Sequence, residues 1–392
     1  MTSAASNESL LEPIERALEA YDEPTLRQVA GKLYRPRNQW PVDELRRRCI
    51  ETLGNAPVLD RRLKELPAPA RGVLRLIAQS RQPYWPVGSL VEIAMTLGAE
   101  DGLEAIRLLL ESGILYPQLR TGASAPVIRG IETWLTQTSD PVVYAPFFVA
   151  QRTLRETLPV DTAVWRVDAL GTTAEADGLE WPLRLAIVHQ QVSANPLRRT
   201  QTREFFKRDL ERLRADPLLG TQPGESLVEI ADPGLLAVGL AAAVGALDEQ
   251  GGDLFAGSFP DTWEKGLASA LAEIYAALWK LRGWTPLGGW DVASDAGRPL
   301  ASAMLLALSL LGHLPEDAWA DPHKLETWIL SRHPFWASKP PEKAGIAAFL
   351  RGLAPTLRLV QSCKLPEGGH AIRLSAVGRW ILGLTEESAD IR

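Results

Sequence analysis

Asp101-Gly102-Leu103-Glu104-Ala105-Ile106-Arg107-Leu108-Leu109-Leu110-Glu111-Ser112-Gly113-Ile114-Leu115-Tyr116 is the most decisive stretch of this chain. Leu103, Ile106, Leu109 and Leu110 recur at helical spacing and form one apolar stripe, so residues 101–112 are predicted to form a helix with that stripe inward. Gly113 suits the left-handed C-cap that ends such a helix, and Ile114-Leu115-Tyr116 then reads as a strand. Upstream, Pro69–Gln79 and Pro86–Leu97 carry the same periodicity, with Val73, Leu74 and Ile77 facing inward. Three short helices followed by a β-excursion are the order of a winged helix-turn-helix. The fold class expected is therefore mainly α, with several winged helix-turn-helix units, short β-hairpins and a helical Trp-rich middle.

Working outward, Leu26, Val29, Ala30 and Leu33 make one apolar stripe, and Leu45, Cys49 and Leu53 make a second after Pro41. Between them Tyr34 to Trp40 reads as extended. Residues 120–180 are rich in Thr and Pro, with β-prone pieces at Val142-Val143-Tyr144 and Phe147-Phe148-Val149. A helix from Trp181 to Val192 should break at Asn195-Pro196. The next should start from Thr200 or Thr202 as N-cap, carry Phe205 or Phe206, Leu210 and Leu213 inward, and stop before Pro217. Further helices are expected over 225–248, 261–282, 299–312 and 322–332. Leu357–Ser362 and Ala371–Leu374, flanking Pro366-Glu367-Gly368-Gly369, read as a hairpin, and Ala376–Leu384 as a helix. The implied division is 1–60, 61–130, 131–180, 181–340 and 341–392. These are a helix–extended–helix module, a winged helix, a β-prone connector, a helical domain and a C-terminal winged helix.

Composition narrows the function. Of 392 residues 46% are hydrophobic and 23% charged, which is ordinary globular composition. Lys and Arg number 42 against 48 Asp and Glu, a formal net charge of −6. Nucleic-acid binding through bulk charge is disfavoured, and a local basic patch would have to do the work. Cys49 and Cys363 are the only cysteines, too few for a disulfide framework or a Cys-based zinc site. The polar, acidic start of the chain and the absence of a long apolar run point to a cytoplasmic protein with no membrane partner. The longest such run, Gly234–Leu247, is shorter than the roughly 18–20 residues a span requires. It and Leu300–Leu311 read instead as central core helices.

Motifs for catalysis are missing. There is no phosphate loop, no Gly-x-Gly-x-x-Gly and no Gly-x-Ser-x-Gly. His189, His313, His323, His333 and His370 lie scattered. Asp317, Asp321, His323 and Glu326 are close in sequence but read as a capped helix start, with His323 and Glu326 on a wet first turn. No enzyme activity, cofactor or metal is expected. Seven tryptophans (263, 279, 284, 290, 319, 328 and 336) fall within 74 residues. They read as core fillers or as a stacking platform, with Trp336 the one expected at the surface.

Two basic clusters are the candidate nucleic-acid contacts. The first is Lys32, Arg35, Arg37, Arg46, Arg47 and Arg48, opposed by Asp43 and Glu44. The second is Arg198, Arg199, Arg203, Lys207, Arg208, Arg212 and Arg214, opposed by Glu204, Asp209 and Glu211. In the second, Arg203 and Lys207 would repel as i, i+4 like charges unless a phosphate or carboxylate intervened, and Glu204 could pair with Arg208. By contrast the 101–112 helix presents Asp101, Glu104 and Glu111, with Glu100 just before it, against a single base, Arg107, which suits a protein partner better than a phosphate backbone.

The segment from Leu197 to Leu213 resembles the pattern Leu-Arg-x-Thr-x-x-Gly-x-x-x-Lys-Arg-Asp-Leu-x-x-Leu of the helicase-associated domain of XPB-type helicases, with Arg203 in place of the glycine. Ile372 to Arg379 is similar to a later part of such chains, and residues 24–53 resemble a SAP-type module. No motor domain follows. The resemblance therefore implies a non-catalytic DNA-binding accessory or scaffold acting beside a helicase or nuclease, in repair or in defence against foreign DNA. It would bind duplex or single-stranded DNA weakly and with low sequence specificity. The alternative is a protein–protein adaptor whose winged helices dock partners without touching nucleic acid.

Overall fold

The computed structural model describes residues 3–386 apart from 35, 38, 120–126, 159, 170, 203, 282, 291–297, 338–344 and 367. The fold is mainly α, with small antiparallel sheets. It divides into two units: residues 1–160 with 332–334, and residues 161–331 with 335–392. Of the five segments expected from the sequence, 1–60 and 61–130 lie together in the first unit, and 131–180 is shared between the two.

In the first unit, α1 (Ser3–Ala20) leads to α2 (Glu23–Leu33), whose start is capped by Asp22 accepting from the Thr25 N–H at 3.0 Å. Leu26, Val29, Ala30 and Leu33 are all buried, as their spacing requires. In α3 (Val42–Leu53) the buried stripe is Leu45, Cys49 and Leu53; burial also pushes the Cys49 thiol up to about 12. Next come α4 (Ala56–Glu65), α5 (Ala68–Ser80), β1 (Tyr84–Pro86), α6 (Val87–Thr96) and α7 (Gly102–Glu111). These bounds match the three expected helices within one or two residues. Asp101 caps α7 by accepting from the N–H groups of Leu103 and Glu104, and Gly113 turns the chain at φ 65°. Gly102 is required where α7 meets α6, because a Cβ there would lie 2.5 Å from the Val91 carbonyl oxygen.

β2 (Tyr116–Pro117), α8 (Ile131–Gln137), β3 (Val142–Tyr144) and α9 (Phe147–Ala150) complete the unit. β3 lies between β1 and β2, pairing Val143 with Trp85 and Tyr144 with Tyr116. Two expectations need correction. Leu103 is 39% exposed rather than inward, because it sits in the first turn beside the cap. Residues 147–149 are helical rather than extended, since Pro146 presets the N-cap backbone of α9.

The second unit opens with β4 (Arg166–Val167), β5 (Thr173–Ala174), α10 (Glu180–Ala194), α11 (Lys207–Ala215) and α12 (Pro233–Ala243). The hairpin β6 (Leu247–Gln250) and β7 (Asp253–Ala256) follows, then α13 (Leu267–Leu278) and the short pair β8 (Trp284–Thr285) and β9 (Gly289–Trp290). The rest is α14 (Arg298–Leu311), β10 (Trp319–Ala320), α15 (Pro322–Arg332), α16 (Ile346–Arg351), α17 (Leu353–Thr356), β11 (Val360–Lys364), β12 (His370–Leu374) and α18 (Ala376–Ile381). β11 and β12 form the expected hairpin, and the sheet extends in the order β4-β10-β12-β11-β5.

The two apolar runs form core helices. Residues 236–241 of α12 and 303–308 of α14 are buried throughout. The helix expected over 225–248 is shorter than its apolar run. It starts only at Pro233, and Gly245, at φ 85°, ends it. Gly251 and Gly252, both at positive φ, then fold 247–256 into a hairpin.

Four of the seven tryptophans (284, 319, 328 and 336) are buried and the other three half-buried. Trp336 is therefore not the surface residue expected; its neighbour Phe335 is, at 64% exposure. Glu326, expected on a wet turn, is buried and accepts from the backbone N–H of Ile346 at 2.9 Å, tying α15 to the start of α16. Asp321 caps α15 as expected, accepting from the N–H groups of His323 and Lys324. Among the described residues no group of three His, Cys, Asp or Glu is placed to hold a metal, and no helix is long and apolar enough to cross a membrane.

Candidate nucleic-acid interface

The three arginines of α3 in the first basic cluster are neutralised on their own helix. Arg46 pairs with Asp43 at 3.0 Å, Arg47 with Glu44 and Glu51 at 2.7 Å each, and Arg48 with Glu44 at 2.9 Å and Glu51 at 3.2 Å. Three arginines thus face three carboxylates. The hydrogen bonds from Arg47 and Arg48 hold the Glu44 carboxyl below the usual carboxylate range. Lys32 pairs with the buried Glu111 of α7. Exposed pairs of this kind are individually weak, under about 1 kcal/mol. Even so, Arg46, Arg47 and Arg48 would reach a phosphate only by leaving these partners. Arg37 is exposed without an ion pair among the described residues, and Arg35 lies outside them. Glu51, one turn beyond the arginines, is the acid that the sequence pattern did not single out.

The second cluster divides into an anchored half and an open half. Helix α11 begins at Lys207, later than the threonine caps expected, with Phe206 as its N-cap residue. The preceding chain is a tight loop. Arg199 bridges Phe205, the Thr200 N–H donates to the Glu204 carbonyl at 2.8 Å, and the Phe206 N–H donates to the Arg198 carbonyl at 3.1 Å. These bonds take up the backbone that helix formation from Thr200 or Thr202 would have used. Phe205 and Phe206 therefore precede the helix; of these two alternatives for an inward residue, Phe205 is half-buried and Phe206 is 43% exposed. Lys207 has no helical neighbour before it, and Glu204 has no helical i, i+4 relation to Arg208.

Asp209 organises the anchored half. It is buried on the inner side of α11 and accepts from the Arg198 N–H at 3.2 Å, with Arg198 Nε at 3.6 Å and an Arg212 Nη at 3.9 Å. Arg212 also donates to the Asn195 carbonyl at 2.8 Å. Arg199 pairs with Glu249 at 3.3 Å, its N–H donates to Asp253 at 2.8 Å, and its guanidinium lies 5.0 Å from the Phe205 ring centre. Arg198 lies over Phe206 at 5.3 Å.

The open half is Lys207, Arg208 and Arg214. Lys207 is 89% exposed and 3.8 Å from Glu211. Arg208 and Arg214 are exposed and have no ion pair among the described residues. At about 100° per residue all three project from the side of α11 opposite the buried Asp209 and Leu213. Arg203 lies outside the described residues.

No family model, curated protein or solved structure matches this chain. The likeness to helicase-associated domains stands on the residues of 197–213 and 372–379 alone.

Proposed function

We propose that the protein is a non-catalytic DNA-binding accessory of low sequence specificity whose contact surface is the outer face of α11. The observation that carries the reading is that Lys207, Arg208 and Arg214 stay exposed on one helix, while the neighbouring arginines are spent on internal carboxylates. Three exposed cations attract phosphate, and few other base-reading side chains stand beside them among the described residues, which supports weak, salt-sensitive binding rather than sequence recognition. Arg46, Arg47 and Arg48 of the first cluster support no such role, since they are matched one for one by Asp43, Glu44 and Glu51. The likeness of residues 197–213 to helicase-associated domains is the support for placing this activity beside a helicase or nuclease, in repair or in defence against foreign DNA.

Fluorescence anisotropy at about 50 mM salt tests the reading. Micromolar binding is expected, weakening steeply as salt rises. Reversing charge in K207E/R208E/R214E should abolish most of it and flatten the salt dependence by roughly one unit of slope for each phosphate no longer neutralised. Binding unchanged in that variant sinks the proposal.

The adaptor reading is favoured by a separate observation. We infer a winged helix from the order α5-β1-α6-α7-β2-β3. Its third helix then shows exposed Leu103 beside Asp101 and Glu104, a surface suited to a protein and repellent to phosphate.

A further inference from the structure

We propose that the α11 surface selects single-stranded over duplex DNA by stacking a base on Phe206, an inference that rests on the phosphate-binding role of Lys207, Arg208 and Arg214. Among the described residues of the 198–215 segment, Phe206 is the only large apolar side chain with substantial exposure, 43%, and it precedes Lys207 directly. An exposed phenyl ring next to open cations is the pairing that single-strand surfaces use. The cations follow the backbone and the aromatic face takes an unpaired base. In a duplex the base faces are already stacked on one another, so the ring has nothing to receive.

The main chain that carries the ring is fixed. The Phe206 backbone N–H donates to the Arg198 carbonyl at 3.1 Å, and the Phe206 carbonyl accepts from the N–H groups of Asp209 at 2.9 Å and Leu210 at 3.1 Å. Both sides of the peptide are therefore fixed by the loop and by the first turn of α11. Arg198 already lies over one face of the ring at 5.3 Å, so a base would stack on the other face. A phenylalanine side chain has two rotatable bonds, and ordering it costs little on binding.

The experiment compares oligothymidylate of about 20 nucleotides with a duplex of the same length, using the full chain and the variants F206A, F206Y and K207E/R208E/R214E. We expect F206A to weaken single-strand binding about tenfold, the loss of one stacked base, with duplex binding changed less than about twofold. F206Y should retain single-strand affinity. Circular dichroism and a thermal melt establish that each variant is folded. In F206W, the new indole should be quenched by oligothymidylate and not by duplex. Loss of both substrates equally in F206A, or of neither, overturns the stacking role. The charge-reversed variant separates the two claims. If it loses both substrates while F206A is silent, stacking alone fails; if it loses neither, the phosphate-binding role fails with it.

Discussion

Asp209, buried on α11, accepts the backbone N–H of Arg198 at 3.2 Å, eleven residues earlier in the chain. One carboxylate thereby fixes the loop to the helix and occupies the side of Arg198 and Arg212 that faces the core. The open cations of the same segment are those beyond its reach.

This relationship predicts a graded cost. Asp209→Ala leaves the Arg198 N–H without its acceptor and should lower the stability of the second unit by about 1–3 kcal/mol. Asp209→Asn retains an acceptor oxygen and should cost less. Calorimetric melting of both variants measures the difference; equal and negligible shifts would show that this hydrogen bond does not hold the loop.

Two glycines should respond in opposite directions. A Cβ on Gly378 in α18 would sit 2.0 Å from the Leu359 carbonyl oxygen, so Gly378→Ala forces the helix off the sheet at a cost of about 1–3 kcal/mol. Gly31, exposed in α2, has nothing within 4 Å of such a Cβ. Gly31→Ala should stabilise the first unit by about 0.5–1 kcal/mol, because alanine gives up less backbone freedom in a helix. Urea midpoints decide both, and a stabilised Gly378→Ala would contradict the packing described.

His333 sets a pH dependence. It is 1% exposed, and burial lowers its pKa from 6.5 to about 4. Between those values the unfolded chain binds the proton and the folded chain does not. The neutral imidazole's contribution is therefore complete above pH 6.5 and is lost progressively as pH falls toward 4. At pH 5 the loss should be about 1–2 kcal/mol relative to pH 7. His333→Gln should show that much less destabilisation over the same interval. Parallel pH profiles for the two proteins would exclude a buried neutral His333.

Much of the framework was legible in the residues because its determinants are local. The helices at 68–111 follow from apolar spacing with Asp101 and Gly113 at the ends of the last. The 360–374 hairpin follows from its Pro-Glu-Gly-Gly turn. The β6–β7 hairpin was equally local, and Gly251-Gly252 was its signal. The start of α11 was not legible from its threonines. The competing bonds Thr200–Glu204 and Phe206–Arg198 depend on a loop that also meets Glu249 and Asp253.

Sequence alone determined the mainly α class, the two central apolar helices and the position of the basic stretches, since periodicity and composition act through neighbours three or four residues apart. Tertiary structure decided which charges remain available. Glu111 claims Lys32 of the first cluster, and Asp209 and Glu249 hold Arg198 and Arg199 of the second. It also turned Trp336 inward and Phe206 outward. The reason is that electrostatic pairing and burial depend on distances between segments far apart in the chain, and only the folded arrangement sets those distances.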